Sequence, residues 1–161
     1  MATDMFIKIG DVKGESQDGT HKGEIDVLAW SWGLSQSGSA HHGAGAGAGK
    51  VSVRDLTLTK YVDASSTALI QFACKGTHVK EAKLTIRKAG DSPLEYIHIT
   101  LNDVLVTSLS TGGSGGEDRL TENIVLNFGK FKVEYTNQAE TGGKGTTSTA
   151  AWDIPANKSA G

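Results

Sequence analysis

Glu24-Ile-Asp-Val-Leu-Ala-Trp-Ser-Trp-Gly33 reads as a β-strand, and it runs into Gln36-Ser-Gly-Ser-Ala-His-His-Gly-Ala-Gly-Ala-Gly-Ala-Gly-Lys50, which is almost all Gly, Ala and Ser. The strand carries two of the three tryptophans, Trp30 and Trp32. Residues two apart on a strand share a face, so both indoles are expected side by side on one side of a sheet. Indoles are large apolar groups. Aromatics are enriched in cores and in subunit interfaces alike, so the pair is read as core or as buried subunit contact. Ile25, Val27, Ala29 and Ser31 share the other face. That face becomes smaller and more polar toward the loop, as suits a wall exposed to water. The loop can bury almost nothing, and long loops without structure of their own are functional or disordered as a rule. A rigid sheet with a reaching arm suggests a building part more than a catalyst.

Period-2 alternation extends outward in both directions. Met5, Ile7 and Ile9 alternate with Phe6 and Lys8, and Val51 to Lys60 is a short β-rich run. Leu84 and Ile86 share one face, with Lys83, Thr85 and Arg87 on the other. From Leu94 to Leu109, Ile97, Ile99, Leu101 and Leu105 are expected to face one way, and Tyr96, His98, Thr100 and Asn102 the other. Leu120, Ile124, Leu126 and Phe128 predict a further strand. Phe131, Val133 and Tyr135 predict another, and Trp152 with Ile154 a short last one. Many short strands point to an all-β sandwich or barrel. One segment departs from the pattern. Cap residues from Asp63, helical spacing of Leu69, Phe72 and Ala73, and Gly76 at the end predict a short helix, Ser66 to Lys75. Gln36 to Gly49, Ser110 to Gly116 and Glu140 to Ala150 are low in complexity and read as loops. The tail at 155–161 is polar and is expected to be flexible.

The 161 residues are most simply one domain with a real core. The net charge of −2 gives no reason to expect nucleic acid or an anionic membrane as partner. Glycine is abundant at 21 and proline scarce at 2, which suits strands joined by tight turns. Cys74 is the only cysteine, which excludes an intramolecular disulfide and a four-cysteine zinc site. The N-terminus has no basic region followed by an apolar one, and no apolar run reaches transmembrane length. The expectation is a protein made in a cytosol that leaves, if it leaves, without a signal peptide.

No set of residues assembles chemistry. His41 and His42 are adjacent in a loop with no further ligand close in sequence, and a metal site needs several converging donors. Gly142-Gly-Lys-Gly-Thr146 lacks the spacing of a phosphate loop, because Gly145 follows Lys144. Gly112-Gly-Ser-Gly-Gly116 sits between two strands, where a dinucleotide motif needs a following helix. Glu117 and Asp118 read as a solvated turn. Cys74, beside Phe72, reads as a packed small hydrophobe. Nothing supplies a nucleophile, a base and an oxyanion hole together. The expectation is no enzyme, no cofactor and no metal.

His21-Lys-Gly-Glu-Ile-Asp-Val27, Trp30-Ser-Trp-Gly33, Ala82-Lys-Leu-Thr-Ile-Arg-Lys-Ala-Gly90, Ser110-Thr-Gly-Gly-Ser-Gly-Gly-Glu-Asp-Arg-Leu-Thr-Glu-Asn123 and Leu126-Asn-Phe128 carry a resemblance. In that order they resemble the haemolysin-coregulated proteins, Hcp, tube proteins of bacterial type VI secretion systems. The resemblance implies a two-sheet β-barrel with one short flanking α-helix and a long extended loop, all within a single tube domain over 1–161. It implies a homohexameric ring, rings stacked into a tube, a contractile sheath around it and a trimeric spike at its tip. It implies export to the extracellular space or a target cell, with small effector proteins held in the ring lumen, and no membrane insertion.

Within that reading the arm at 36–50 is the expected stacking element, with Ser39, Ala40, His41, His42, Gly43 and Lys50 on it. Ser31, opposite the indoles, is the expected lumen residue. Trp30 and Trp32 remain core or subunit interface. The other reading open to the sequence is a monomeric β-barrel that binds a small ligand inside.

Overall fold

A computed structural model describes residues 2–38, 49–90 and 93–161. The strands are β1 (Thr3–Ile9), β2 (Ile25–Ser31), β3 (Leu34–Ser35), β4 (Ser52–Val53), β5 (Leu56–Tyr61), β6 (His78–Lys88), β7 (Leu94–Thr111), β8 (Thr121–Asn127), β9 (Lys130–Gln138), β10 (Lys144–Asp153) and β11 (Lys158–Ser159), with one helix, α1 (Ser65–Lys75). The main sheet runs β11-β10-β9-β7-β6-β1-β2-β5-β8, and β8 returns to pair with β7. That return closes a six-strand barrel and gives β8 a partner strand on each side. The expected all-β barrel with one helix is therefore the observed fold. Its interior is filled by alternating apolar residues, among them Ile7, Ile25, Leu58, Leu84, Ile99 and Ile124, each at most 2% exposed.

The helix begins at Ser65, one residue before the expected start. Asp63 supplies its first contacts by accepting from the Ser65 amide at 2.9 Å. It ends at Gly76, whose φ of 63° is the left-handed stop that glycine tolerates. Leu69 is fully buried, while Phe72 and Ala73 pack more loosely on the core. Cys74 is exposed, so it is not the packed hydrophobe expected. It points away from the barrel because the buried stripe of this short helix is Ser65, Ser66 and Leu69.

Several strands change phase where simple alternation would not. In β7, Ile99 and Leu101 face the core, but so do Val104 and Val106, and Leu105 is only half-buried. Asp103 adopts a φ of 56°, which spends one residue turning the strand as its partner changes from β9 to β8. In β2 the register shifts between Val27 and Ala29 where it pairs with β5. This bulge puts Ile25 and Val27 in the core together with Trp30, so the four residues expected on one open face divide. Ala29 and Ser31 alone face water.

The opposite surface of β1 and β6 is covered as well: Phe6, Thr85 and Arg87 are buried beneath the segment between β1 and β2. Leu120 precedes its strand and is 42% exposed. Tyr135, near the far end of β9, is 49% exposed. Glu140 to Ala150 is not a loop throughout. Threonine, serine and alanine from Lys144 onward form most of β10, with Thr147 and Thr136 sharing a hydroxyl hydrogen bond of 2.7 Å across to β9. β-Branched threonine favours a strand even where composition is monotonous. The tail expected to be flexible turns back at Asn157, φ 54°, and Lys158 and Ser159 pair with Asp153 and Trp152.

Candidate functional site

Four strands present one exposed face. On β5, Leu56, Leu58 and Lys60 point inward and Thr57 and Thr59 outward. On β8, Glu122, Ile124 and Leu126 point inward, and Asn123, Val125 and Asn127 outward. The registers then assemble rows. Ser31, Thr57, Val125 and Ser108 form one; Ala29, Thr59, Asn123 and Ser110 form the next. The Thr59 hydroxyl donates to Asn123 Oδ1 at 2.8 Å, and the Thr107 hydroxyl donates to the Val125 carbonyl at 3.3 Å.

No charged side chain occurs in these two rows. Charge begins at the rims. Asn127 donates to Asp55 at 2.9 Å on one side, and the Arg119 guanidinium lies 3.8 Å from the centroid of the Tyr61 ring on the other. Asp26 borders the second rim. Burial raises its carboxyl pKa against a hydrogen bond from Ser16. The wall is thus a patch of hydroxyls, one amide and small apolar groups, able to hydrogen-bond weakly and to attract neither sign of charge.

The wall sheet has two open sides. β2 pairs with β1 only through Ile25 and Asp26, so Leu28 to Ser31 have β5 on one side and no described strand on the other. β6 leaves β7 at Leu105, so among the described strands Val106 to Thr111 have only β8 beside them. Both free stretches lie level with the uncharged rows.

Behind the wall sits a polar cluster. Lys60, 0% exposed, donates to Glu122, to Ser66 Oγ at 3.2 Å and to the Tyr61 carbonyl at 2.9 Å. Asp63 lies 3.1 Å from the same ammonium, and Ser66 donates to Glu122 at 2.6 Å. The cluster ties the start of α1 to β5 and β8. The sequence reading takes Asp63 and Ser66 only as residues that start the helix and gives Lys60 and Glu122 no role, although the signal is there. Lys60 is in phase with Leu56 and Leu58, and Glu122 with Ile124 and Leu126.

Of the residues singled out in the sequence, Ser31 is exposed at the edge of the wall. Trp30 and Trp32 pack against the barrel core, Trp32 edge-on to Phe131 with centroids 4.9 Å apart. Lys50 is exposed where the arm returns to β4. Ser39, Ala40, His41, His42 and Gly43 lie outside the described residues. At the base of the arm, Leu34 and Ser35 pair with Val53 and Ser52. Beside this ribbon is a mainly apolar groove of 450 Å³ lined by Leu34, Val51, Phe131, Ala150 and Trp152 among others. Among the described residues, no group of three or more His, Cys, Asp or Glu is placed to hold a metal ion. No described helix is long and apolar enough to cross a membrane.

The family model described as "Type VI secretion system effector, Hcp" matches residues 6–135. Protein hcp1 of Pseudomonas aeruginosa is 60% identical over 159 residues, which is 98% of each chain. Among solved structures, Hcp1 from Salmonella typhimurium superposes with a TM-score of 0.81 at 37% identity, covering 99% of both chains. A structure described as a type six secretion system protein superposes with a TM-score of 0.91 at 30% identity, covering 98% of this chain and 99% of that one.

Proposed function

Because the chain belongs to the Hcp family of type VI secretion proteins, we propose that it is a tube subunit whose hexameric rings stack, are exported, and carry small effector proteins in the lumen. The observation that carries this reading is the uncharged wall with a free strand stretch at each side. β2 of one copy beside β7 of the next would extend the sheet in the antiparallel sense. The two stretches differ, so the contact is heterologous and closes into a ring when the rotation fits. The wall then lines the bore. Its hydroxyls offer cargo hydrogen bonds without a strong fixed charge, a surface that retains a protein and lets it go. Ser31 stands at the joint between copies.

The arm at 36–50 is the stacking element in this account, with Lys50 at its return and Leu34, 51% exposed, at its root. The sheath surrounds the tube and the trimeric spike caps it. No step calls for catalysis, a cofactor or a metal. The subunit is made in the bacterial cytoplasm and exported. The ligand-barrel reading is disfavoured by the barrel interior, which is packed with side chains.

Disulfide trapping tests the joint. In a Cys74→Ser background, Ala29→Cys combined with Ser110→Cys or Ser108→Cys should yield, on oxidation, a ladder of linked chains ending at six. Monomer alone in both combinations would remove the β2–β7 joint.

A further inference from the structure

The segment from Gly10 to Glu24 crosses the outer face of β1 and β6, on the far side of the barrel from the wall. It folds on itself: Gly14 N donates to the Gly23 carbonyl at 2.8 Å, and Ser16 N to the Glu24 carbonyl at 3.0 Å. It is fastened to the body at several points. Glu15 accepts from the Ala64 amide at 2.7 Å, at the start of α1. Arg87 of β6 donates to Asp18 at 2.6 Å and to Asp4 of β1 at 2.9 Å. His21 stacks on Phe6 with centroids 4.6 Å apart.

The His21 ring is the unusual fastener. Its Nδ1 faces Glu24 Oε2 and its Nε2 faces Glu95 Oε2 of β7, each at 2.8 Å. Ionised carboxylates only accept hydrogen bonds, so both ring nitrogens must donate. A neutral imidazole carries a single N–H and satisfies only one of them. The residue is 8% exposed, so water cannot readily replace a lost partner. The second oxygen of Glu95 accepts from His98 at 2.9 Å, leaving Glu95 fully engaged.

We propose that residues 10–24 form a strap locked by the His21 imidazolium, and that loss of its proton releases the strap while the barrel stays folded. The groups around His21 bear on this from every side. The strap contributes Asp11, Asp18 and Glu24. β1 contributes Asp4 and Lys8, and β6 contributes Lys80, Glu81, Lys83 and Arg87. β7 contributes Glu95 and His98. Arg87 is engaged by Asp18 and Asp4, which leaves the paired carboxylates as the nearest influence on the ring.

Burial pushes the His21 pKa down, but hydrogen bonds to Glu95 and Glu24 outweigh it and the net shift is upward. Burial pushes Glu95 up, but His98 and His21 bring it below its ordinary value. A raised imidazole stabilises the closed strap below its ordinary pKa, and that stabilisation is lost as pH rises through the folded value. A lowered carboxyl stabilises it above its own ordinary pKa, lost as pH falls through the folded value. The strap is therefore closed in a window, and its upper limit belongs to His21.

Hydrogen exchange on the assembled full-length protein tests the lock. Protection of amides in residues 11–24, corrected for intrinsic exchange, should be flat between about pH 5 and about pH 6.5. Above that it should fall by up to about tenfold per pH unit until the folded pKa is reached. Amides of β6 and β7 should hold. His21→Gln should show weak strap protection with no such slope. Glu24→Gln, which leaves the Glu95 contact, should keep the onset near the same pH but end the loss at a lower pH with a smaller total drop, and it serves as the test if His21→Gln fails to fold. Strap protection that ignores pH in the wild type, a slope that persists in His21→Gln, or a Glu24→Gln profile identical to the wild type's would overturn the proposal.

Discussion

Lys60 and Glu122 face each other across β5 and β8 as an ion pair in which each side chain is 1% exposed. The pair lies on the inward side of the strands whose outward side is the wall. Removing one partner strands a buried charge, at a cost of about 3–5 kcal/mol. Lys60→Met and Glu122→Leu should each lower the unfolding free energy by that order. The double variant should cost much less than the sum, because no unpaired charge from this pair remains. Denaturant unfolding of the four proteins checks this. Additive losses would show that the two groups act independently.

Gly14 predicts a steric effect on the strap. A β-carbon there would lie 2.4 Å from the Glu24 carbonyl oxygen, which is backbone and cannot move aside cheaply. Gly14→Ala should cost about 1–3 kcal/mol and should expose the Ser16 and Gly23 amides to exchange. Gly76→Ala differs in kind. Its β-carbon meets nothing within 4 Å, but the residue has a φ of 63°, so about 1–2 kcal/mol of backbone strain is expected alone. Thermal unfolding with exchange at the strap separates the two effects.

The uncharged wall predicts how cargo is held. Effector retention should change little between about 0.1 M and about 1 M salt, because no fixed charge in the two rows is there to be screened. Thr57→Lys, beside Ser31, should make retention salt-dependent. Ser31→Gln should spare the ring and weaken retention through bulk added to the bore. Effector co-purification at both salt levels measures this. Strongly salt-dependent retention by the wild type would place the cargo contacts on the charged rims.

Shortening Ala40 to Gly49 should leave the barrel and the ring intact and impair tube formation. The core cluster among the described residues draws on none of Gly49 to Ser52, and the ribbon at Leu34–Ser35 and Ser52–Val53 remains to close the shorter loop. Electron microscopy of the purified variant reads the outcome directly. Normal tubes would take the arm out of stacking.

The barrel was legible because inward residues such as Ile7, Ile9, Leu84 and Ile86 keep strict alternation over whole strands. Ser31 was placed on an outward face for an incomplete reason. Parity put it with Ile25 and Val27, but the bulge after Val27 sends those two inward and leaves only Ala29 and Ser31 outside. A bulge adds one residue and leaves no mark in composition. Asp103 hid the phase change of β7 in the same way. β10 reads as a loop in the sequence because a Thr/Ser/Ala run is strand or loop according to whether β9 is beside it. The rows of the wall were half visible, as Thr57 and Thr59 or Asn123 and Asn127 in alternation. Which strands stand side by side is a long-range fact that local pattern does not carry. The His21 lock joins residues 74 apart in sequence, and no spacing motif announces it.

Native mass spectrometry of the purified chain at micromolar concentration tests the central claim most directly. The tube-subunit account predicts a closed species of six chains as the dominant form. It further predicts that a proline at Ala29, on the free stretch of β2, shifts the population toward monomer without unfolding the barrel. A wild-type protein that runs as a strict monomer under these conditions would contradict the account.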